Sequence, residues 1–369
     1  MTKGTLRMSA KETDRVAVMG RVAAKEMTLK AAAVEMGVSY RQAKRIAAGW
    51  RQGGAWFLAH CGRDRVSGRR LPEDVRQRAL EVYEARYSDF GPTLAAEYLA
   101  EEEGIVVCRE TIRRWLIGKC LWQPGRRRCR KQRPRRERFG ELVQLDGSLH
   151  RWLEDRDDPS CLMVMIDDAT NHTETFLARG ETLDAAFSVL RRWIERHGVP
   201  EALYLDRRNI YVGNDGSQKT DFARACRELG IRLIVAHSPQ AKGRVERRNG
   251  LLQDRLVKHL RLAGASSIDE ANELAEPCLE RINRQFRVEP VSPIDAHRGA
   301  PEPELLDEIL CREEQRTVDR DGTISVASRR CRLKPAPRPG TRVRLRRPRD
   351  GRMVIHDDRQ RLECLEGYC

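Results

Sequence analysis

FGELVQLDG (139–147), CLMVMIDD (161–168), HTETFLA (172–178), ETLDAAFSVLRRWIERHG (181–198) and ALYLD (202–206) make up the stretch on which the fold turns. The first three segments are short, apolar and strand-like. The fourth carries apolar residues at helical spacing, and the fifth returns to a strand. Further on, SQKTDFARACRELG (217–230) reads as a helix, IRLIVAH (231–237) as a strand, and residues 242–261 as a long helix. Three strands followed by alternating helices and strands predict an α/β sheet whose last strands are parallel.

Three carboxylates stand out by position in this pattern. Asp146 lies on the first strand, Asp206 ends the fourth, and Glu246 sits one turn into the long helix, with 39 residues between the last two. In open α/β sheets ligands gather at the carboxyl ends of the strands, where such residues converge. Asp167 and Asp168 follow the second strand and are assigned to a turn, because Asp is a common turn former. Asp215 and Asp221 fit a helix entry better than a metal site. Cleaving a phosphodiester requires an activated nucleophilic oxygen and a stabilised leaving oxygen on an already negative backbone. Two divalent cations about 3.5–4 Å apart supply both. Hard cations prefer oxygen ligands, so three carboxylates suit two Mg²⁺ ions, with Mn²⁺ as a substitute. Lys242, Arg244 and Asn249 flank Glu246 and are expected to hold phosphates there.

The flanks supply polyanion-binding chemistry. The 369 residues carry 70 Lys and Arg against 55 Asp and Glu, a formal charge of +15, which favours a polyanionic partner. Residues 11–27 predict one helix and 28–50 two more, separated by the turn Met36-Gly37-Val38, a helix-turn-helix spacing. Ser39 is placed to cap the last of these, with Gln42 completing a capping box. Its outer face carries Tyr40, Arg41, Lys44 and Arg45, with Val38, Ala43, Ile46 and Ala47 turned inward. A second helical unit, from Pro72 to Leu116, ends in another basic helix that projects Arg109, Arg113 and Arg114, with Ile112, Trp115 and Leu116 as core. Cys108 stands where a capping Ser would be expected. Residues 125–138, GRRRCRKQRPRRER, hold nine basic residues, Arg126, Arg127, Arg128, Arg130 and Lys131 among them, and read as an extended phosphate-binding linker. Past Ala265 one further helix is expected over SSIDEANELAEPCLERINRQF. From about Gln315 short strands alternate with turns, Asp-Gly at 321–322 and 350–351 being hairpin signals, and suggest a small antiparallel barrel with Arg342, Arg344, Arg346 and Arg347 on a basic face.

The eleven cysteines are scattered, odd in number and nowhere spaced as CxxC, so they read as reduced thiols rather than disulfides or zinc ligands. His60 and Cys61 have no second pair near them and read as a loop. No apolar run reaches the roughly 20 residues of a membrane span and the start lacks a secretory apolar core, so a soluble, cytoplasmic, nucleoid-associated protein is expected.

ELVQLDGSLHRWLEDR, CLMVMIDDAT, LYLDRRN and HSPQAKGRVERRNGLLQDRL together resemble the integrase-type catalytic core of bacterial insertion-sequence transposases, most closely the ISNCY group. The strand order is that of the ribonuclease H fold. The resemblance implies a multidomain α+β chain: a helix-turn-helix domain (1–66), a second helical DNA-binding domain (70–122), a basic linker (123–138), a ribonuclease H-like catalytic core (139–265), a helical extension (266–300) and a small β-barrel (310–369). It matches Asp146, Asp206 and Glu246 to the family's DDE triad. It also implies cutting at transposon ends, then attack of the freed 3′ hydroxyl on target DNA, with no covalent enzyme intermediate. The implied partners are double-stranded DNA, as terminal inverted repeats and target, and further copies of the chain on that DNA; no membrane is involved. Where the family has a shorter polar turn, this chain has Arg207, Arg208 and Asn209 after Asp206. Two other readings compete: a catalytically inert DNA-binding regulator, and another nuclease of the ribonuclease H fold.

Overall fold

The computed structural model describes residues 8–60, 70–125, 134–206, 209–213, 220–235, 243–326, 329–349, 351–357 and 360–365. The chain divides into two compact units, Met1–Gly125 and Arg126–Cys369. The basic-linker residues Arg126, Arg127, Arg128, Arg130 and Lys131, together with Cys61, Arg207, Arg208, Asp215 and Lys242, lie outside the described residues.

The first unit is helical among its described residues. α1 (Ala10–Ala23), α2 (Leu29–Glu35), α3 (Tyr40–Gly53) and the single turn α4 (Ala55–Leu58) enclose a core of Val18, Met19, Ala32, Ile46, Ala47 and Leu58. The turn between α2 and α3 pivots on Gly37, whose φ of +63° favours a residue without a side chain. Ser39 Oγ accepts from the Gln42 N–H at 3.2 Å and starts α3 as the sequence suggests. The complete capping box is at α1, where Ser9 and Glu12 bond each other's backbone N–H reciprocally. α5 (Glu73–Arg86), α6 (Pro92–Glu101) and α7 (Arg109–Gly118) follow. Cys108 makes no side-chain cap to α7.

The second unit is built on a five-stranded sheet. β1 (Val143–His150), β2 (Ser160–Asp167) and β3 (Thr173–Ala178) pair antiparallel. The chain then crosses through α8 (Leu183–His197) to β4 (Ala202–Leu205), and through α9 (Asp221–Glu228) to β5 (Arg232–Val235). β4 lies parallel to β1 and β5 parallel to β4, giving the order β3-β2-β1-β4-β5. Every residue of β2 is buried, as expected of an interior strand covered on both faces. Alternation divides its side chains. Cys161, Met163 and Met165 pack with α8 and α9, around the fully buried Trp193 and Phe222. Leu162, Val164 and Ile166 pack on the other face, against α10 (Gly243–Leu262), α11 (Ile268–Leu274) and α12 (Glu276–Phe286).

The expected single helix over residues 266–286 is therefore two. α11 ends at Leu274, with Ala275 as the cap shared by both helices, and α12 restarts with Pro277 in its first turn, where the missing N–H of proline costs least. These helices share the sheet's core rather than standing apart from it.

After α13 (Pro303–Ile309), six strands form a second sheet: β6 (Arg312–Thr317), β7 (Thr323–Val326), β8 (Arg329–Lys334), β9 (Arg342–Arg347), β10 (Val354–His356) and β11 (Arg361–Leu365). Their order is β6-β9-β10-β11-β8-β7. The Asp321-Gly322 turn forms, but it does not join a paired hairpin. It connects the two edge strands, and a bond from Asp319 N–H to Thr323 C=O draws the ends of the sheet together. One cysteine expectation is corrected here. The sulfurs of Cys331 and Cys364 are joined between the neighbouring strands β8 and β11, whose Cα atoms at these positions are 5.7 Å apart, a separation a disulfide spans. The pairing follows from strand order, which a gap of 33 residues does not announce. The expected basic face is corrected at Arg346, whose guanidinium is turned inward to Glu313 and Glu228.

Candidate active site

The site begins with strand register. β1 and β4 pair Val143 with Leu203 and Gln144 with Tyr204, and the same offset carried forward sets Asp146 level with Asp206. Adjacent strands lie about 4.8 Å apart, so two carboxylates at matched positions, at the carboxyl end of β4, face one small volume. Both residues are half-buried.

Alternation along β1 points Val143 and Leu145 at the α8 side and Gln144, Asp146 and Ser148 at α10. α10 meets that second row directly. Asn249 Nδ2 donates to Asp146 Oδ2 at 3.2 Å, and Gln253 Nε2 donates to Ser148 Oγ at 3.2 Å. Glu246 lies three residues before Asn249, hence on the same flank of the helix, and is exposed there. The structure thus brings Asp146 and Asp206 together by register and turns the flank bearing Glu246 toward β1.

Two flanking expectations change. Arg244 is engaged within the fold, its side chain 5% exposed and its Nε 2.8 Å from Asp168 Oδ1. Asn249 orients Asp146 instead of projecting outward. Asp168, placed in a turn by sequence, does begin one, but it is fully buried and also accepts from Gln144 Nε2 and the Arg136 N–H. Asp167 closes β2 and accepts from the N–H groups of Gly140 and Thr170 and from the Thr170 hydroxyl. Burial raises its pKa, against those hydrogen bonds. Both acids are structural hubs.

Sequence reasoning missed Glu181. It stands just before α8, and a Cβ added at Gly147 would come within 2.5 Å of its Oε2, so it lies against β1 immediately after Asp146. Tyr211, fully buried, donates its hydroxyl to Glu181 Oε1 at 3.1 Å. Burial, then Glu181, and then the charges of Asp206 and Asp146 push the Tyr211 phenol well above its usual range. That one hydroxyl senses three carboxylates and stays protonated. The only available signal was Gly147 itself, a glycine in mid-strand that marks a close approach. Gly147→Ala is expected to displace Glu181 and press on Cys161, 3.0 Å from the added carbon, with a stability loss of about 1–3 kcal/mol by thermal melting. An unchanged melting curve would show that the pocket yields freely.

The remaining sequence candidates sit elsewhere. Tyr40, Arg41, Lys44 and Arg45 are all exposed on α3, while Ala43, Ile46 and Ala47 are buried. Lys44 Nζ rests 4.7 Å over the Tyr40 ring. On α7, Arg109 and Arg114 are exposed and Arg113 is half-buried; Arg113 and Arg114 both pair with Glu110.

No family model matches the chain. It is 41% identical over 339 residues to the transposase y4bF of Sinorhizobium fredii, covering 89% of this chain and 74% of that protein. The chain belongs to the transposases. A second relative is the transposase for insertion sequence IS1202 of Streptococcus pneumoniae, 31% identical over 353 residues, with 84% of this transposase and 75% of the relative covered. Among solved structures, a chain of the simian T-cell lymphotropic virus intasome in complex with PP2A regulatory subunit B56 gamma covers 78% of this transposase at 16% identity and a TM-score of 0.36, and 98% of that chain is covered. The HTLV-2 integrase catalytic core domain in complex with magnesium covers 38% at 20% identity and a TM-score of 0.31, with 85% of that chain covered. Likeness at this level fixes no residue correspondence. Among the described residues no helix is long and apolar enough to cross a membrane.

Proposed function

We propose that this transposase is a DDE enzyme of the ISNCY type that cuts DNA at transposon ends and joins the freed 3′ ends to target DNA. The observation that carries the reading is the parallel register of β1 on β4, which carried two residues further sets Asp146 level with Asp206 just past the end of β4, with the Glu246 flank of α10 tied to Asp146 through Asn249. The strand order β3-β2-β1-β4-β5 supports a ribonuclease H-like core, and the near-closed second sheet supports a small terminal barrel.

The donor set fits hard cations. Asp146, Asp206 and Glu246 offer only carboxylate oxygens, so they would hold two Mg²⁺ ions, which when bound would activate the attacking oxygen and stabilise the leaving one. The protein's own groups prepare the site. Asn249 fixes the orientation of Asp146, and the Asp168–Arg244 pair anchors the first turn of α10, on which Glu246 rides.

DNA recognition is assigned to the first unit. The short helix pair around Gly37 and the exposed Tyr40, Arg41, Lys44 and Arg45 support a helix-turn-helix reading of double-stranded terminal repeats. Arg109 and Arg114 offer a second phosphate-binding helix. Paired ends require more than one copy of the chain. Replacing Arg41 and Lys44 by alanine is expected to weaken end binding and to lower the slope of log affinity against log salt by about 1 for each phosphate no longer neutralised. An unchanged slope would remove α3 from the interface.

The direct test incubates the purified full chain with Mg²⁺ and linear DNA carrying the element's terminal repeats. End nicking followed by transfer into a plasmid is expected. Tight binding with no cleavage by the unaltered chain would overturn the enzymatic reading and leave a DNA-binding regulator.

A further inference from the structure

On the opposite side of the first sheet from α10 lies a second constellation that the DNA chemistry does not use. His172, the residue before β3, and Glu174 within it are two residues apart and so point to one side of that edge strand. Glu174 is paired in register with Met165, whose side chain belongs to the α8 side of the sheet. α8 crosses this face, and its last residue is His197. His172 Nε2 lies 3.4 Å and His197 Nε2 3.2 Å from the same oxygen, Glu174 Oε1. One ligand atom from each of the three side chains falls within 4.8 Å of the others.

We propose that His172, Glu174 and His197 form a zinc site that clamps the edge strand β3 to the end of α8. Zn–N and Zn–O bonds of about 2.0–2.2 Å in a tetrahedron put neighbouring ligand atoms about 3.3–3.6 Å apart, close to the two spacings seen. Two imidazoles and one carboxylate are a zinc donor set, whereas Mg²⁺ prefers oxygen alone, so this site and the carboxylate triad select different metals.

The surroundings hold the ligands in place. Arg196 Nη1 donates to the other carboxylate oxygen, Glu174 Oε2, at 2.9 Å and is itself gripped by both oxygens of Glu276. That leaves Oε1 directed at the two imidazoles, the outer-shell support metal ligands usually have. His297 lies nearby but is not a ligand. Its Nε2 accepts from Trp193 Nε1 at 3.0 Å and its Nδ1 is 2.6 Å from Asp295, so both nitrogens are committed. Side-chain exposures of 23% for His172 and 17% for His197 leave a route for the ion and for a water as fourth ligand.

The test is zinc titration of the full chain, first stripped of metal, followed by calorimetry and metal analysis. About one zinc per chain is expected, together with a higher melting temperature that Mg²⁺ does not reproduce. His197→Ala is expected to weaken binding about 100-fold or more, and Asp146→Asn to leave it unchanged. Glu174→Gln keeps the shape while removing the anionic ligand, so it serves if the histidine variant does not fold. Cobalt replaces zinc as a spectroscopic probe, and absorption without a thiolate charge-transfer band is expected because no cysteine is a ligand. The proposal is overturned if zinc binds at far below one per chain, if His197→Ala and Glu174→Gln bind it as well as the unaltered chain, or if cobalt reports thiolate ligation. In each case the three side chains are a hydrogen-bonded cluster only.

Discussion

Asp146→Asn should bind terminal-repeat DNA as tightly as the unaltered transposase while its metal-dependent end cleavage falls by about 10³-fold or more. The amide has the size of the carboxylate and still accepts from Asn249 Nδ2, 3.2 Å away in the parent, so the fold loses little. What it loses is a negative oxygen at the position level with Asp206. Metal activation is worth several kcal/mol, and about 4 kcal/mol of barrier corresponds to roughly 10³ in rate. Gel-shift and single-turnover cleavage on one preparation separate the two effects. Cleavage persisting near the parent rate would remove Asp146 from the site, and with it the register argument.

The largest stability loss is expected at a residue that touches no substrate. Asp168→Ala removes the fully buried acceptor of Arg244 Nε, 2.8 Å away, and of Gln144 Nε2, also at 2.8 Å. Arg244 is itself 6% exposed, so the variant buries a cation beside an empty space. Breaking such a pair costs about 3–5 kcal/mol, measurable as a shift of the denaturation midpoint. Asp168→Asn keeps an acceptor and should cost less. Because Arg244 precedes Glu246 by half a turn, the variant that still folds should lose cleavage more than DNA affinity. A drop below about 1 kcal/mol for Asp168→Ala would mean that Arg244 finds another partner, and that the start of α10 is held by other groups.

Much of this was legible in the sequence because it depends on period. The apolar run of β2, the alternation of β1 and the helical spacing of α8 and α10 each state their own type, and their order dictates the sheet. The outer face of α3 was legible for the same reason. Glu181 was not, because its role depends on which loop a turn of β1 presses against. Asp168 looked like any turn-forming aspartate, and nothing local distinguishes an acid that caps a turn from one that anchors a helix arriving 76 residues later. Cys331 and Cys364 likewise meet only through a strand order that local signals leave open, and the Asp321-Gly322 turn announced a bend without naming the strands it would join. In each miss the deciding interaction was long-range.

α10 serves two purposes at once. Val245, Leu252 and Leu256 form its buried ridge; Glu246, Asn249 and Gln253 lie along one flank and Arg244, Arg248 and Arg255 along the other. Each residue advances the helix by roughly 100°, so one codon inserted just before Glu246 would turn everything downstream out of phase and exchange a carboxylate for a neighbour of another kind. A mobile element that suffered one such frame-preserving slip would lose its chemistry in a single event, while the helices proposed to bind its ends, encoded far upstream, stayed intact. The descendants of such an event would occupy the ends without cutting them, and would compete with the active copies from which they came.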